Sequence, residues 1–184
     1  MTDGSAFAGS AAALGAGALF TALLAVACVS DLRTRRIPNA LNLVLAATGV
    51  IFSVAVLPPG EAASRAGSGI LVGLALWLPF WLLRFLGAGD VKLAAAAGAW
   101  LGASGSLRAA FIALVVGGAL ALVALLWQRR LRDALVSATV WTAAAQAGRL
   151  EAPSPLVRTR YQLPYGVALA TGAALAAWFP HLLG

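Results

Sequence analysis

Long apolar runs, separated by short polar and mostly basic segments, make up nearly the whole chain. They fall at about 7–29, 40–57, 67–86, 91–103, 109–127 and 164–183. Since a helix needs about 20 apolar residues to cross the hydrocarbon core, the pattern predicts an all-α, polytopic membrane helix bundle with six transmembrane helices. The fourth run is short and rich in Gly and Ala. Only Gly102-Ala103-Ser104-Gly105-Ser106 divides it from the fifth, so hydropathy alone leaves open whether the two are one span.

Charge decides the count. Six crossings put Arg33, Arg35, Arg36, Arg84, Lys92, Arg129, Arg130, Arg132, Arg149, Arg158 and Arg160 on one side, with Arg65 and Arg108 opposite. That asymmetry marks the basic side as cytoplasmic. Merging the fourth and fifth runs would move the basic 128–160 segment outside and strand Arg108 in lipid. The expected topology has the N-terminus outside and the loops beginning at Asp31, Arg84 and Gln128 inside. It makes residues 1–184 a single multi-pass domain of the plasma (inner) membrane. Segment 134–150, with Ser137, Thr139, Thr142, Gln146 and Arg149 among alanines and Trp141, suits an amphipathic helix lying on the inner face. A seventh span is the rival reading of that segment.

Composition agrees. Hydrophobic residues make up 61% of the chain and charged ones 10%, with mean hydropathy +0.91. This is too apolar for a water-soluble domain, so the lipid bilayer is the expected solvent. The net charge of +7 comes from residues between apolar runs, with no aromatic-interleaved patch, and does not point to nucleic acid. One cysteine, Cys28, allows neither an intramolecular disulfide nor a multi-thiolate zinc site. No metal or cofactor is expected. The first apolar run has no basic residue before it and is followed by Ser30-Asp31-Leu32-Arg33-Thr34-Arg35-Arg36, not by a small-residue cleavage site. It is expected to stay attached as the first span.

The acidic residues are Asp3, Asp31, Glu61, Asp90, Asp133 and Glu151. Asp31 and Asp90 follow the first and third spans, which end on the same side, so the two can meet. Two carboxylates sharing a site resist simultaneous ionisation and hold one proton between them. Such a pair activates water: one takes a proton from the attacking water while the other donates to the carbonyl oxygen. The plainer reading makes each a helix cap or the partner of a nearby Arg or Lys. Pro38 disfavours helix at Ile37, and Asn39 can cap the next helix. Gly87 and Gly89 leave room for a backbone or an extended substrate beside Asp90. Lys92 can orient Asp90 or attract an acidic substrate residue, or serve only as a positive-inside lysine.

Asp31–Asn39 reads D-x-R-x-x-x-I-P-N and Gly87–Leu93 reads G-x-G-D-V-K-L. Together they resemble the prepilin peptidase family of G-x-G-D intramembrane aspartyl proteases. Leu163-Pro164-Tyr165-Gly166, before the last span, resembles its short pilus-assembly members. The resemblance implies that Asp31 and Asp90 are the catalytic pair. It also implies cleavage of the basic leader from type IV pilin-like precursors on the cytoplasmic side, usually just after a glycine. Arg33 matches a basic position of the family motif. Pro164, Tyr165 and Gly166 begin the sixth span on the inner face, where they line the site or simply start a helix. Longer members carry an N-terminal extension and a cysteine-rich cytoplasmic insert associated with methylating the new N-terminus. Between Asp31 and Ala40 there is no room for that insert, so peptidase activity is expected without an assigned methyl transfer.

Four other readings compete. Gly102-Ala103-Ser104-Gly105 and His181-Leu182-Leu183-Gly184 resemble the serine and histidine motifs of rhomboid proteases, although a flexible turn and a terminal interfacial histidine explain them more simply. Ser30 with Lys92 would make a serine–lysine dyad, but Ser30 stands where a cap would. Cys28 and His181 lie a bilayer apart in this topology. A non-enzymatic transporter would use the aspartates to relay protons, yet no mid-membrane charge or inverted repeat accompanies them.

Overall fold

In the computed structural model, residues 11–127 and 165–179 are described, together with 136, 139, 140, 142, 143 and 146. Helices α1 (Ala11–Thr34), α2 (Asn39–Val56), α3 (Pro59–Leu82), α4 (Ala88–Trp127) and α5 (Tyr165–Trp178) follow in order. No strand occurs among the described residues. The first four helices are long and apolar enough to cross a membrane. Most of the 134–150 segment lies outside the described residues.

The burial pattern is that of a bundle solvated by lipid. Large aliphatic side chains point outward, among them Leu43 at 70% and Ile51 at 66% exposure, an arrangement that water would penalise. Inward contacts are made by small residues that let backbones close up. Gly69 of α3 lies directly against the Gly98 carbonyl of α4, and a Cβ at Gly73 would come within 2.6 Å of the Ala94 carbonyl. Trp100 fills the centre. It is stacked on Phe52 at 5.2 Å and tilted against Phe20 at 5.1 Å. Its indole N–H is satisfied by the Leu45 carbonyl at 2.8 Å. Gly49 makes room for that ring, since a Cβ there would stand 2.6 Å from Trp100 Cδ1.

Helix α4 does not run straight. Gly102, at φ 72° and ψ −178°, occupies a region open essentially to glycine alone, and the chain turns back there. Ser106 Oγ lies 3.0 Å from where a Cβ on Gly98 would be, whereas an unbroken helix would separate those residues by about 12 Å. The arms 88–101 and 103–127 therefore lie side by side. Arg65 braces the reversal, donating from its guanidinium to the Trp100 carbonyl at 3.1 Å and standing over the Phe52 ring.

Helix ends depart from the hydropathy boundaries. Asp31 lies in the last turn of α1, not beyond it, and Asp90 lies in the first turn of α4, not in a loop that follows the third span. Apolarity marks the thickness of the hydrocarbon, while helical hydrogen bonds continue past it; the Arg35 amide still bonds the Asp31 carbonyl at 2.8 Å. Helix α3 starts earlier than expected, at Pro59, because Pro is favoured in the first helical turn. Asn39, a capping residue by type, does not cap α2: Pro38 holds the N-cap position and no side chain caps that helix.

Candidate active site

One end of the bundle gathers the residues that the sequence singles out. Helices α1 and α3 end there, and α2 and α4 begin there. Helix α5 also starts at this end, because the Gly166 amide donates to Asp31 Oδ2 at 2.9 Å. Asp31 is 7% exposed, and Gly166 leaves no space for more: a Cβ at that position would stand 2.7 Å from Oδ2.

Asp90 is held differently. It is the third residue of α4, and its Oδ2 accepts the Gly87 amide at 3.1 Å, while its own amide donates to the Gly87 carbonyl at 3.1 Å. Each carboxylate thus meets a helix N-terminus, where the unpaired amides and the helix dipole favour negative charge. To that extent the plainer capping reading is correct. The same geometry also brings the two acids together. Asp31 lies within electrostatic reach of Asp90, and Tyr165, next to Gly166, lies within reach of Asp90 as well. The Tyr165 ring packs edge-on to Trp77 at 5.7 Å and fits against Gly117.

The connection 35–38 forms the floor beside Asp90. Ser30 Oγ donates to the Arg36 carbonyl at 2.8 Å and Thr34 Oγ1 to the same oxygen at 3.1 Å, closing a turn in which Arg35 takes φ 52°. That turn presses Ile37 onto the G-x-G-D segment; a Cβ at Gly89 would lie 3.4 Å from Ile37 Cβ. Lys92 Nζ donates to Asn39 Oδ1 at 2.9 Å, so Asn39 ties α2 to α4. Arg33 and Pro38 are exposed beside this cluster. Pro164 and His181 fall outside the described residues. Ser104 is exposed at the opposite end, two residues from Gly102, and Ser30 spends its hydroxyl on the Arg36 carbonyl. Among the described residues no group of His, Cys, Asp and Glu has the geometry of a metal site. A cavity of about 20 Å³ lies deeper between Trp77, Leu93, Ser106 and Leu169, and neither carboxylate lines it.

Sequence reasoning missed Asn42. It is 5% exposed, and its Nδ2 donates to the Gly89 carbonyl at 3.3 Å. A signal was present: a polar side chain three residues after Asn39, inside an apolar run, belongs on the same helix face.

The fold and this end of it define an all-α membrane-type bundle with two carboxylates gathered among helix N-termini. Residues 18–122 match the type IV leader peptidase family, and the chain belongs to that family of proteases. It is 34% identical over 182 residues to a prepilin leader peptidase/N-methyltransferase of Burkholderia pseudomallei (strain K96243), covering 94% of this chain and 48% of that relative. It is 37% identical over 126 residues to a prepilin leader peptidase/N-methyltransferase of Dickeya chrysanthemi, covering 64% and 42%. The chain thus spans about half the length of the curated relatives it matches. No solved structure matches it significantly.

Proposed function

We infer that this chain is an aspartic endopeptidase that removes the basic leader of type IV pilin-like precursors, using Asp31 and Asp90 to activate water. The observation that carries the reading is the convergence of the two acids, 59 positions apart in sequence (90 − 31), at one end of the bundle, with the Gly166 amide on Asp31 and its neighbour Tyr165 within electrostatic reach of Asp90. One carboxylate accepts the proton of the attacking water while the other, protonated, donates to the scissile carbonyl oxygen. The reaction then needs no metal or cofactor.

The wider reading is a single membrane-embedded domain of six spans in the plasma membrane, with the N-terminus outside and the site at the cytoplasmic face. The reversal at Gly102 supports counting α4 as two spans, and the clustering of Arg33, Arg35, Arg36, Arg84 and Lys92 at the carboxylate end supports its orientation. The substrate's apolar helix stays in the bilayer while its leader junction unwinds at the site. Nucleic acid has no part in this reading. Methyl transfer, which the relatives' names include, is not assigned to this chain.

The test is cleavage of a co-expressed pilin-like precursor by Asp31→Asn, Asp90→Asn and Ser104→Ala. Each Asn variant is expected to lose cleavage by roughly 100-fold or more, and Ser104→Ala to retain it. Persisting cleavage in either Asn variant would reject the dyad, and loss with Ser104→Ala would favour a serine mechanism.

A further inference from the structure

Asn39 and Asn42 stand three residues apart at the start of α2, and Gly89 and Lys92 three apart at the start of α4. Both amides reach across: Asn42 Nδ2 to the Gly89 carbonyl at 3.3 Å, and Asn39 Oδ1 to Lys92 Nζ at 2.9 Å. Matching i, i+3 pairs on the facing first turns form a two-point clasp.

The buried half of this clasp acts on the peptide unit that carries Asp90. The Gly89 carbonyl and the Asp90 amide share one rigid plane, and the Asp90 amide is already bonded to the Gly87 carbonyl at 3.1 Å. Together with the bond from the Gly87 amide to Asp90 Oδ2, that contact fixes the shape of the turn. Neither bond fixes where the turn sits relative to Asp31. The Asn42 bond spans 47 positions and supplies that reference, because α2 follows Asp31 through the short 35–38 connection. Stability does not account for the amide. Its Oδ1 is buried without a hydrogen-bond partner among the described residues, and an apolar side chain of similar size would remove that orphan acceptor.

We propose that Asn42, seconded by the Asn39–Lys92 bond, is a positioning residue that sets the Asp90 carboxylate at its working separation from Asp31. The proposal rests on the reading of these two aspartates as the catalytic pair. It is tested with the full chain in detergent, acting on a pilin-like precursor with a basic leader, comparing Asn42→Leu and Lys92→Met with Asp31→Asn and Asp90→Asn. Asn42→Leu is expected to lower kcat roughly 10- to 100-fold while KM stays within about twofold and Tm is equal or higher. Lys92→Met is expected to lower kcat by a smaller factor. The acid and base limbs of the kcat–pH profile should also draw together in Asn42→Leu, because carboxylates set further apart couple less. Wild-type kcat in Asn42→Leu, with both Asn variants inactive, overturns the clasp alone. So does failure to fold, or a Tm that falls together with kcat, since either makes Asn42 a stability residue. Cleavage persisting in an Asn variant removes the dyad, and the positioning role with it.

Discussion

Asp31 and Gly166, 135 positions apart, are joined by a 2.9 Å hydrogen bond from the Gly166 amide to the carboxylate. The contact ties the last turn of α1 to the first turn of α5 and orients one acid of the pair. It is also as close as the two helices can come there, because Cγ of Asp31 would lie 3.0 Å from a Cβ at position 166. Gly166→Ala must therefore move either the carboxylate or the start of α5. The buried face of α5, carried by Ala168, Leu169 and Ala173, is not itself altered. The expected outcome is a fall in precursor cleavage of roughly 10- to 100-fold with the variant still folded, measured as kcat beside thermal unfolding in detergent. A wild-type kcat would mean that Asp31 does not need this orientation.

How far the sequence revealed this site depended on the kind of signal each residue left. Asp31 and Asp90 stood out because lone acids at the ends of apolar runs are costly and few, and the flanking motifs paired them. Gly166 was reachable only through the family motif, since nothing local says that its amide meets an acid 135 residues away. Asn42 left a legible trace in its i, i+3 spacing from Asn39, but its partner is a backbone carbonyl, which carries no sequence signature. The same limit hid the centre of the fold. That Gly49 exists to admit the Trp100 ring is a statement about two helices meeting, and hydropathy treats both residues only as members of apolar runs. In the sequence, only charge parity separates 91–103 from 109–127, whereas the structure has a kink at Gly102 between them. Helical hydrogen bonding nonetheless runs on through most of that segment, and a single glycine makes the turn.

That glycine invites a second experiment. At φ 72° and ψ −178°, Gly102 cannot be replaced without strain, and a Cβ there would also meet Arg65 Cγ at 3.1 Å. Gly102→Ala is expected to destabilise the protein by about 1–3 kcal/mol, read as a lower Tm in detergent. Gly67→Ala is the matched control. It lies within α3 with nothing in reach of an added Cβ, so alanine's higher helix propensity should stabilise it by about 0.5–1 kcal/mol. Equal Tm values for the two variants would argue against the reversal at Gly102.

Gly89 has no positive φ, and a Cβ added there would find Ile37 at 3.4 Å, an ordinary van der Waals distance. Nothing in the free protein therefore requires glycine at this position, and inside the first turn of α4 an alanine should be favoured slightly. If the residue is instead small so that an extended substrate backbone can pass close to Asp90, its cost should appear only when substrate binds. Gly89→Ala is accordingly expected to keep or raise Tm while kcat/KM for the precursor falls roughly tenfold or more. Measuring both on one preparation separates the two causes. A drop in Tm would assign Gly89 to folding, and unchanged kcat/KM would mean that the substrate follows another path past the carboxylates.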